Sequence, residues 1–307
     1  MEVGIVGLPG SGKTTLFQAL TGVEPQLGTG KPNLGMARIP DERLDQVARI
    51  EQSAKITPAA LRVLDAAGTS AAQLGTLRRA DALIAVVDAF SGGSDPAADL
   101  GSLHLELLVA DQDHVERRLE RVRKEAKSGE PALKDEVDRL EAALDLLAED
   151  RPLRELPGGV PEALEPLTSK PLIVVENGPS GIDAKLELEL ASMPADEAAE
   201  FRDGPPALTR VLLELFEQLD LISYFTAGDT EARAWTLERG QTALDAAEQI
   251  HTDIARGFVR CEVIPWDGFV ESGSRAEAAR RGLQRLEGKT YVVRDGDVLN
   301  IRFSPPR

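Results

Sequence analysis

An α/β fold built on a mostly parallel sheet is predicted by three features of this 307-residue chain. Apolar runs of strand length alternate with helical patterns through the first hundred residues, as crossover connections between parallel strands require. A charged stretch with apolar residues three and four apart then interrupts the alternation, and β-rich runs separated by turn signals end the chain. The expected organisation is a sheet domain in two parts (1–100 and 156–218), an inserted helical arm at 101–155, and a small β-grasp domain at 219–307.

The first strand is Glu2–Val6, and GLPGSGKT (Gly7–Thr14) follows it at once, with TTLFQALTG reading as a helix. Every fixed position of the phosphate-loop pattern G-x-x-x-x-G-K-[ST] is met, in the strand–loop–helix context the pattern needs. Gly7, Pro9, Gly10, Ser11, Gly12, Lys13, Thr14 and Thr15 are therefore expected to cradle phosphate oxygens with backbone N–H groups at a helix N-terminus. Lys13 would reach the β- and γ-phosphates and stabilise transition-state charge, and the Thr14 hydroxyl would hold Mg²⁺.

A phosphate loop alone does not separate kinases, GTPases and ATPases. LRVLDAAG (Leu61–Gly68) is an apolar strand ending in D-x-x-G, which favours the GTPase type. Asp65 becomes a candidate magnesium residue and Gly68 a γ-phosphate contact. ALIAVVDAF (Ala82–Phe90) and PLIVVENGPSG (Pro171–Gly181) supply further strands. The second ends in Asn177-Gly178-Pro179-Ser180, so the Asp of the guanine-reading N-K-x-D is absent. Leu186, Leu188 and Leu190 alternate with polar residues and read as a last sheet strand.

Between these strands, Leu105, Leu108, Val115, Leu119, Val122 and Ala126 keep a 3–4 spacing broken at Gln112. After a turn at Ser128–Pro131, Leu133, Val137, Leu140, Leu144 and Leu147 resume it. The pattern predicts an antiparallel coiled-coil hairpin with helices on the order of 30 Å. At the C-terminal end, SYFTAG and ARAWTL form two β-rich runs and Thr242–Asp245 opens a helix. GFVRCEVI reads as a strand, and YVVRDGDVLNIRF as a hairpin about Asp295-Gly296.

Composition narrows the function. The net charge of −17 argues against wholesale coating of nucleic acid, although residues 251–307 alone sum to about +2. The single Cys261 has no internal disulfide partner, which agrees with a reducing cytoplasm, and is expected as a small buried residue. No apolar run is long enough to span a membrane. With only Met1–Ile5 ahead of the phosphate-loop unit, no signal peptide is expected.

GIVGLPGSGKTTLFQALTG, PDERLD at 40–45, YFTAG, RAWTLERGQTALDAAEQIHTDIARGFVRCEVI and LEGKTYVVRDGDVLNIRF together resemble the YchF/Obg-like ATPases of the translation-factor P-loop GTPases. The last stretch is similar to that family's TGS domain, and the charged hairpin lies where the family has its coiled coil. The resemblance implies a cytoplasmic, monomeric hydrolase of ATP or GTP with Mg²⁺ that associates with ribosomes. It implies that Thr29, in GTGKPN, is a second magnesium contact, and that Asn177 opens the base-recognition motif. The ribosome or another RNA-bearing partner would meet the TGS-like end through Arg256, Arg260, Arg280, Arg281, Arg285 and Lys289, together with the arm.

This chain departs from the family at Ser180, where the base motif carries Glu, leaving adenine or guanine open. Thr69 follows the D-x-x-G, and the second switch is shortened to TSAAQLGTLRRAD. SGGSDPA lacks the family's His; His104 lies further on and reads as a surface residue. The expectation is a slow nucleoside triphosphatase acting as a nucleotide-dependent switch. The alternatives are an adaptor that binds nucleotide without hydrolysing it and, with only the loop's wording behind it, a small-molecule kinase.

Overall fold

The computed structural model describes residues 1–304 apart from 27, 29, 30, 67, 69, 92–94, 129 and 203. The chain divides into two units: Met1–Ala37 with Leu61–Val211, and Arg38–Ala60 with Leu212–Arg307.

The first unit is built on a five-stranded sheet of β1 (Glu2–Val6), β2 (Asn33–Arg38), β4 (Ala60–Asp65), β5 (Ala82–Asp88) and β6 (Leu172–Asn177), in the order β2-β4-β1-β5-β6. β1 pairs in parallel with β4 and β5, and β5 in parallel with β6. In β5, Ala82 to Val87 are all buried, which is why this interior strand reads as continuously apolar rather than alternating. The phosphate loop leaves the tip of β1 and feeds α1 (Lys13–Thr21). α3 (Ala71–Gly75) follows the D-x-x-G.

The arm is α4 (Pro96–Glu125) and α5 (Pro131–Ala148). At 30 and 18 residues they run about 45 and 27 Å, so the two helices are unequal. Leu108, Val115, Leu119 and Val122 pack with Leu140, Ala143, Leu146 and Leu147 in one apolar cluster. Leu105 is not in that seam and is 51% exposed. The first part of α4 turns Leu103, Leu107 and Ala110 onto the sheet domain's core instead, beside Leu74, Leu77 and Leu83. The helix thus serves two cores in succession, which shifts the apolar phase at its start.

A second correction concerns Leu186, Leu188 and Leu190. They lie in a helix, α6 (Ala184–Ala191), not a strand. The Asp183 side chain accepts the Leu186 N–H as N-cap, and Ala184, Glu187 and Leu190 form the buried face at i, i+3, i+6. A capped run of Ala, Lys, Leu and Glu outweighs a two-residue alternation. α7 (Ala195–Glu200) and α8 (Ala207–Gln218) follow.

The second unit carries a six-stranded mixed sheet: β3 (Ile56–Thr57), β7 (Leu221–Ala227), β8 (Ala232–Glu238), β9 (Phe258–Pro265), β10 (Arg285–Glu287) and β11 (Asp297–Phe303), ordered β10-β9-β11-β7-β8-β3. An antiparallel β7–β8 pair, the helices α9 (Ala243–Ile250) and α10 (Thr252–Arg256), and β11 lying between β9 and β7 make the β-grasp expected. Cys261 is fully buried and free, among Tyr224, Ala247 and Val263. α11 (Trp266–Ser272) and α12 (Arg275–Arg280) complete the C-terminal run.

The hairpin expected at Tyr291–Phe303 does not form. Asp295-Gly296 is a turn, but β11 pairs with β9 and β7, and Val292 makes only an isolated bridge to Thr242. The Asp297 carboxylate accepts from the Arg294 N–H and the Tyr291 hydroxyl, which holds 291–294 off the ladder. Arg38–Ala60, read from sequence as part of the 1–100 stretch, clusters with the C-terminal residues. Its helix α2 (Glu42–Glu51) buries Leu44, Val47 and Ala48, and β3 adds the outer strand beside β8.

Candidate nucleotide-binding site

The loop from Gly7 to Gly12 is shaped by positive backbone angles. Gly12 is the N-cap of α1 with φ 92°, and a Cβ there would strike the Asn177 side-chain amide. Only glycine meets both demands. The Ser11 N–H turns back to the Leu8 carbonyl at 3.2 Å, and the Leu16 N–H begins the helix on the Gly12 carbonyl at 2.9 Å. Pro9 and Gly10 are exposed at the mouth of the loop, Ser11 and Lys13 are buried, and Thr14 and Thr15 are half-buried on the first helical turn. The loop's N–H groups sit where the helix dipole favours an anion.

Lys13 Nζ donates to the carbonyl oxygens of Gly7 and Leu8, each at 2.8 Å. The ammonium therefore rests on its own loop. Burial lowers its pKa, against the opposing fields of Asp65 and Glu106.

Asp65, at the end of β4, is fully buried. Its Oδ2 accepts from Thr14 Oγ1 at 3.0 Å and from Asn33 Nδ2 at 3.1 Å, while its Oδ1 is buried with no hydrogen-bond partner. An orphaned carboxylate oxygen beside a threonine hydroxyl suits a hard divalent cation that fills its remaining positions with water and phosphate oxygens. The residues present thus fit Mg²⁺. Among the described residues there is no group of three or more His, Cys, Asp or Glu that could hold a metal ion.

Asn177, at the tip of β6, donates from Nδ2 to the Ser11 carbonyl at 2.9 Å and accepts the Ala184 N–H on Oδ1 at 3.1 Å. Both ends of its amide are engaged, tying the phosphate loop to α6. Ser180 is exposed on the turn between them. Gly68 holds φ 154°, and its N–H donates to the Ala66 carbonyl at 2.7 Å. Thr29 and Thr69 lie outside the described residues, as do Gly92–Ser94 of the SGGSDPA loop.

Sequence reasoning brought Lys13, Thr14, Asp65 and Asn177 to one end of the parallel sheet, and the structure places them there. It missed Asn33 as a contact of Asp65; the only signal was the Pro32-Asn33 pair. It also missed a buried knot elsewhere in the same unit. Arg78 Nη1 donates to Asp111 Oδ1 at 2.6 Å, and Asp111 further accepts from the Leu167 N–H and from the Thr168 N–H and hydroxyl. In the C-terminal unit, Arg280 and Arg281 both pair with Glu277, Arg256 lies 3.8 Å from Asp253, and Arg285 donates to the Tyr291 hydroxyl. Arg260 and Lys289 are exposed.

A parallel sheet with a phosphate loop after its central strand, and a D-x-x-G after the neighbouring one, defines a P-loop nucleoside triphosphatase domain of the GTPase class. Residues 2–127 match the family model described as 50S ribosome-binding GTPase, and residues 221–304 match YchF-GTPase_C, described as a protein of unknown function. The chain belongs to the YchF family. It is 35% identical to the ribosome-binding ATPase YchF of Pasteurella multocida and 33% identical to that of Bacillus subtilis, with 99% of each chain covered. The YchF GTPase of Schizosaccharomyces pombe superposes with a TM-score of 0.82 at 27% identity, covering 98% of this chain and 97% of that one. No helix among the described residues is long and apolar enough to cross a membrane.

Proposed function

We propose that this chain binds Mg²⁺ and a purine nucleoside triphosphate at Gly7–Thr15 and hydrolyses the β–γ bond slowly, as a cytoplasmic, monomeric switch on the ribosome. The observation that carries the reading is the convergence of Lys13, Thr14 and Asp65 at the loop, with Asp65 Oδ1 left without a partner. Relatives that cover the whole chain are named ribosome-binding ATPases, which supports both the hydrolysis and the partner.

The loop N–H groups and the α1 N-terminus hold phosphate oxygens, and Lys13, released from the Gly7 and Leu8 carbonyls, meets the charge that develops on the transferring group. Thr14 and Asp65 hold the cation, with Thr29 as a further candidate; Mg²⁺ supplies neutralisation of phosphate charge. Gly68, its N–H released from the Ala66 carbonyl, offers it to the γ-phosphate. Asn177 keeps the loop in register with β6 and α6. The TGS-like end and the arm face the RNA-bearing partner.

The short segment after Gly68 supports a second reading, an adaptor that binds nucleotide without cleaving it. α3 has only five residues and the Gln73 side chain is held by Ser70 as a capping box, so it is not free to orient water.

Phosphate release from Mg·ATP and Mg·GTP, measured for the wild-type chain and Lys13→Ala, separates the two. Turnover lost on substitution establishes the triphosphatase, and the ratio of rates names the base. Measurable binding with no turnover of either nucleotide leaves the adaptor. Pelleting with ribosomes that does not depend on nucleotide removes the switch.

A further inference from the structure

We infer that Asn33 is a positioning residue of the magnesium site, one that sets the Asp65 carboxylate and joins it to the first switch segment. The inference rests on the reading of the site as a magnesium–nucleotide site. Asn33 closes the GTGKPN stretch as the first residue of β2 and is 8% exposed. Its Oδ1 accepts the backbone N–H of Gln26 at 2.8 Å, and its Nδ2 donates to Asp65 Oδ2 at 3.1 Å.

The direction of this amide is fixed by its partners. A backbone N–H can only donate, so the carbonyl end must face Gln26 and the NH₂ end must face the carboxylate. Two donors, from Thr14 and Asn33, therefore occupy the same oxygen, Oδ2, and the other oxygen is kept buried and unpartnered. Thr14 is itself a candidate metal ligand. A cation that engages its hydroxyl oxygen leaves Asn33 as the protein donor holding Oδ2, and Asn33 is anchored at its far end to the chain at Gln26. Occupancy of the site is then felt at Gln26 through one side chain. A contact behind a metal carboxylate of this kind typically tunes metal affinity roughly 10–100-fold.

The test is a magnesium titration of the full chain with a fluorescent ATP analogue, for wild type and Asn33→Ala, alongside nucleotide affinity in EDTA. Wild type is expected to bind more tightly as Mg²⁺ rises. Asn33→Ala is expected to need about tenfold more Mg²⁺ or beyond for half effect, with its EDTA affinity within about twofold of wild type. An unchanged half-effect concentration, or an equal loss in EDTA and in Mg²⁺, overturns the role of Asn33 and leaves the site reading standing. A wild-type chain that binds nucleotide without any response to Mg²⁺ overturns both. Amide exchange at Gln26, followed by NMR on the wild-type nucleotide complex, needs no variant. Slower exchange on adding Mg²⁺ supports the link, and identical exchange with and without it overturns the link.

Discussion

Arg43 donates from Nη1 and Nη2 to the carboxylate of Asp295 at 2.7 and 3.3 Å, joining two residues 252 apart in sequence. The same guanidinium takes both oxygens of Asp41 and lies over the Phe225 ring at 5.5 Å. PDERLD is thereby explained as a structural motif: Asp41 caps α2 and aims Arg43 at the turn before β11. Burial works to raise the Asp295 carboxyl, but the hydrogen bonds from Arg43 and the Ser223 N–H outweigh it and hold its pKa below the ordinary 3.8. The carboxylate's contribution to stability is therefore present above about pH 4 and fades as pH falls through its lowered value. Asp295→Asn is expected to cost about 1 kcal/mol at pH 7. Its melting temperature should converge on that of wild type below pH 3.8; a gap that stays constant to pH 3 refutes the assignment.

Asp111 accepts four donors inside the first unit, one of them the buried Arg78. Asp111→Asn keeps the shape but leaves a guanidinium without its counter-charge. We expect a loss of about 3–5 kcal/mol in denaturant unfolding, with the arm seam of Leu119 and Leu147 left intact. A loss under 1 kcal/mol would mean that water reaches Arg78.

Asn177→Ala removes a bond to the phosphate loop and another to α6. Because both amide ends are committed to protein, the variant is expected to weaken ATP and GTP by the same factor, about tenfold, corresponding to about 1.4 kcal/mol. Titrations with fluorescent analogues of each nucleotide check this; weakening of one base alone would make Asn177 a base reader.

Asp183→Ala strips the N-cap of α6. The expected cost is about 1 kcal/mol, and nucleotide affinity should fall only slightly, since the Ala184 N–H to Asn177 remains. Chemical unfolding and one binding isotherm suffice.

Local chemistry was the legible part of this chain. The phosphate loop, Asp65 at a strand tip and the turn at Asp295-Gly296 depend on residues within a few positions, and each stands where the sequence places it. The leucines of 186–190 were misread because three alternations suit a strand and a helix alike, and the deciding residue, Asp183, lies outside the run. Leu105 was misread because one helix changes the core it serves midway. The hairpin failed for a longer-range reason: β11 finds better partners in β9 and β7, which no local pattern around Gly296 reveals. At the site, the Pro32-Asn33 pair marked the position but not its partner, since a side-chain amide becomes meaningful only once Gln26 and Asp65 are folded against it.

The discontinuous second unit has a consequence for the order in which the protein is made. Arg38–Ala60 leaves the ribosome early, yet the rest of its unit begins at Leu212, with the first sheet strand at Leu221, after residues 61–211 have been translated. At roughly 5–20 residues per second, those 151 intervening residues delay the partners by about 8–30 s. Throughout that interval Leu44, Val47 and Ala48 have no sheet to cover, so the nascent chain carries an unsheltered amphipathic helix. A fragment that starts at Leu212 is born without its outer strand and its covering helix, and a ribosome that stalls before Asp295 releases an Arg43 with only Asp41 as its carboxylate partner.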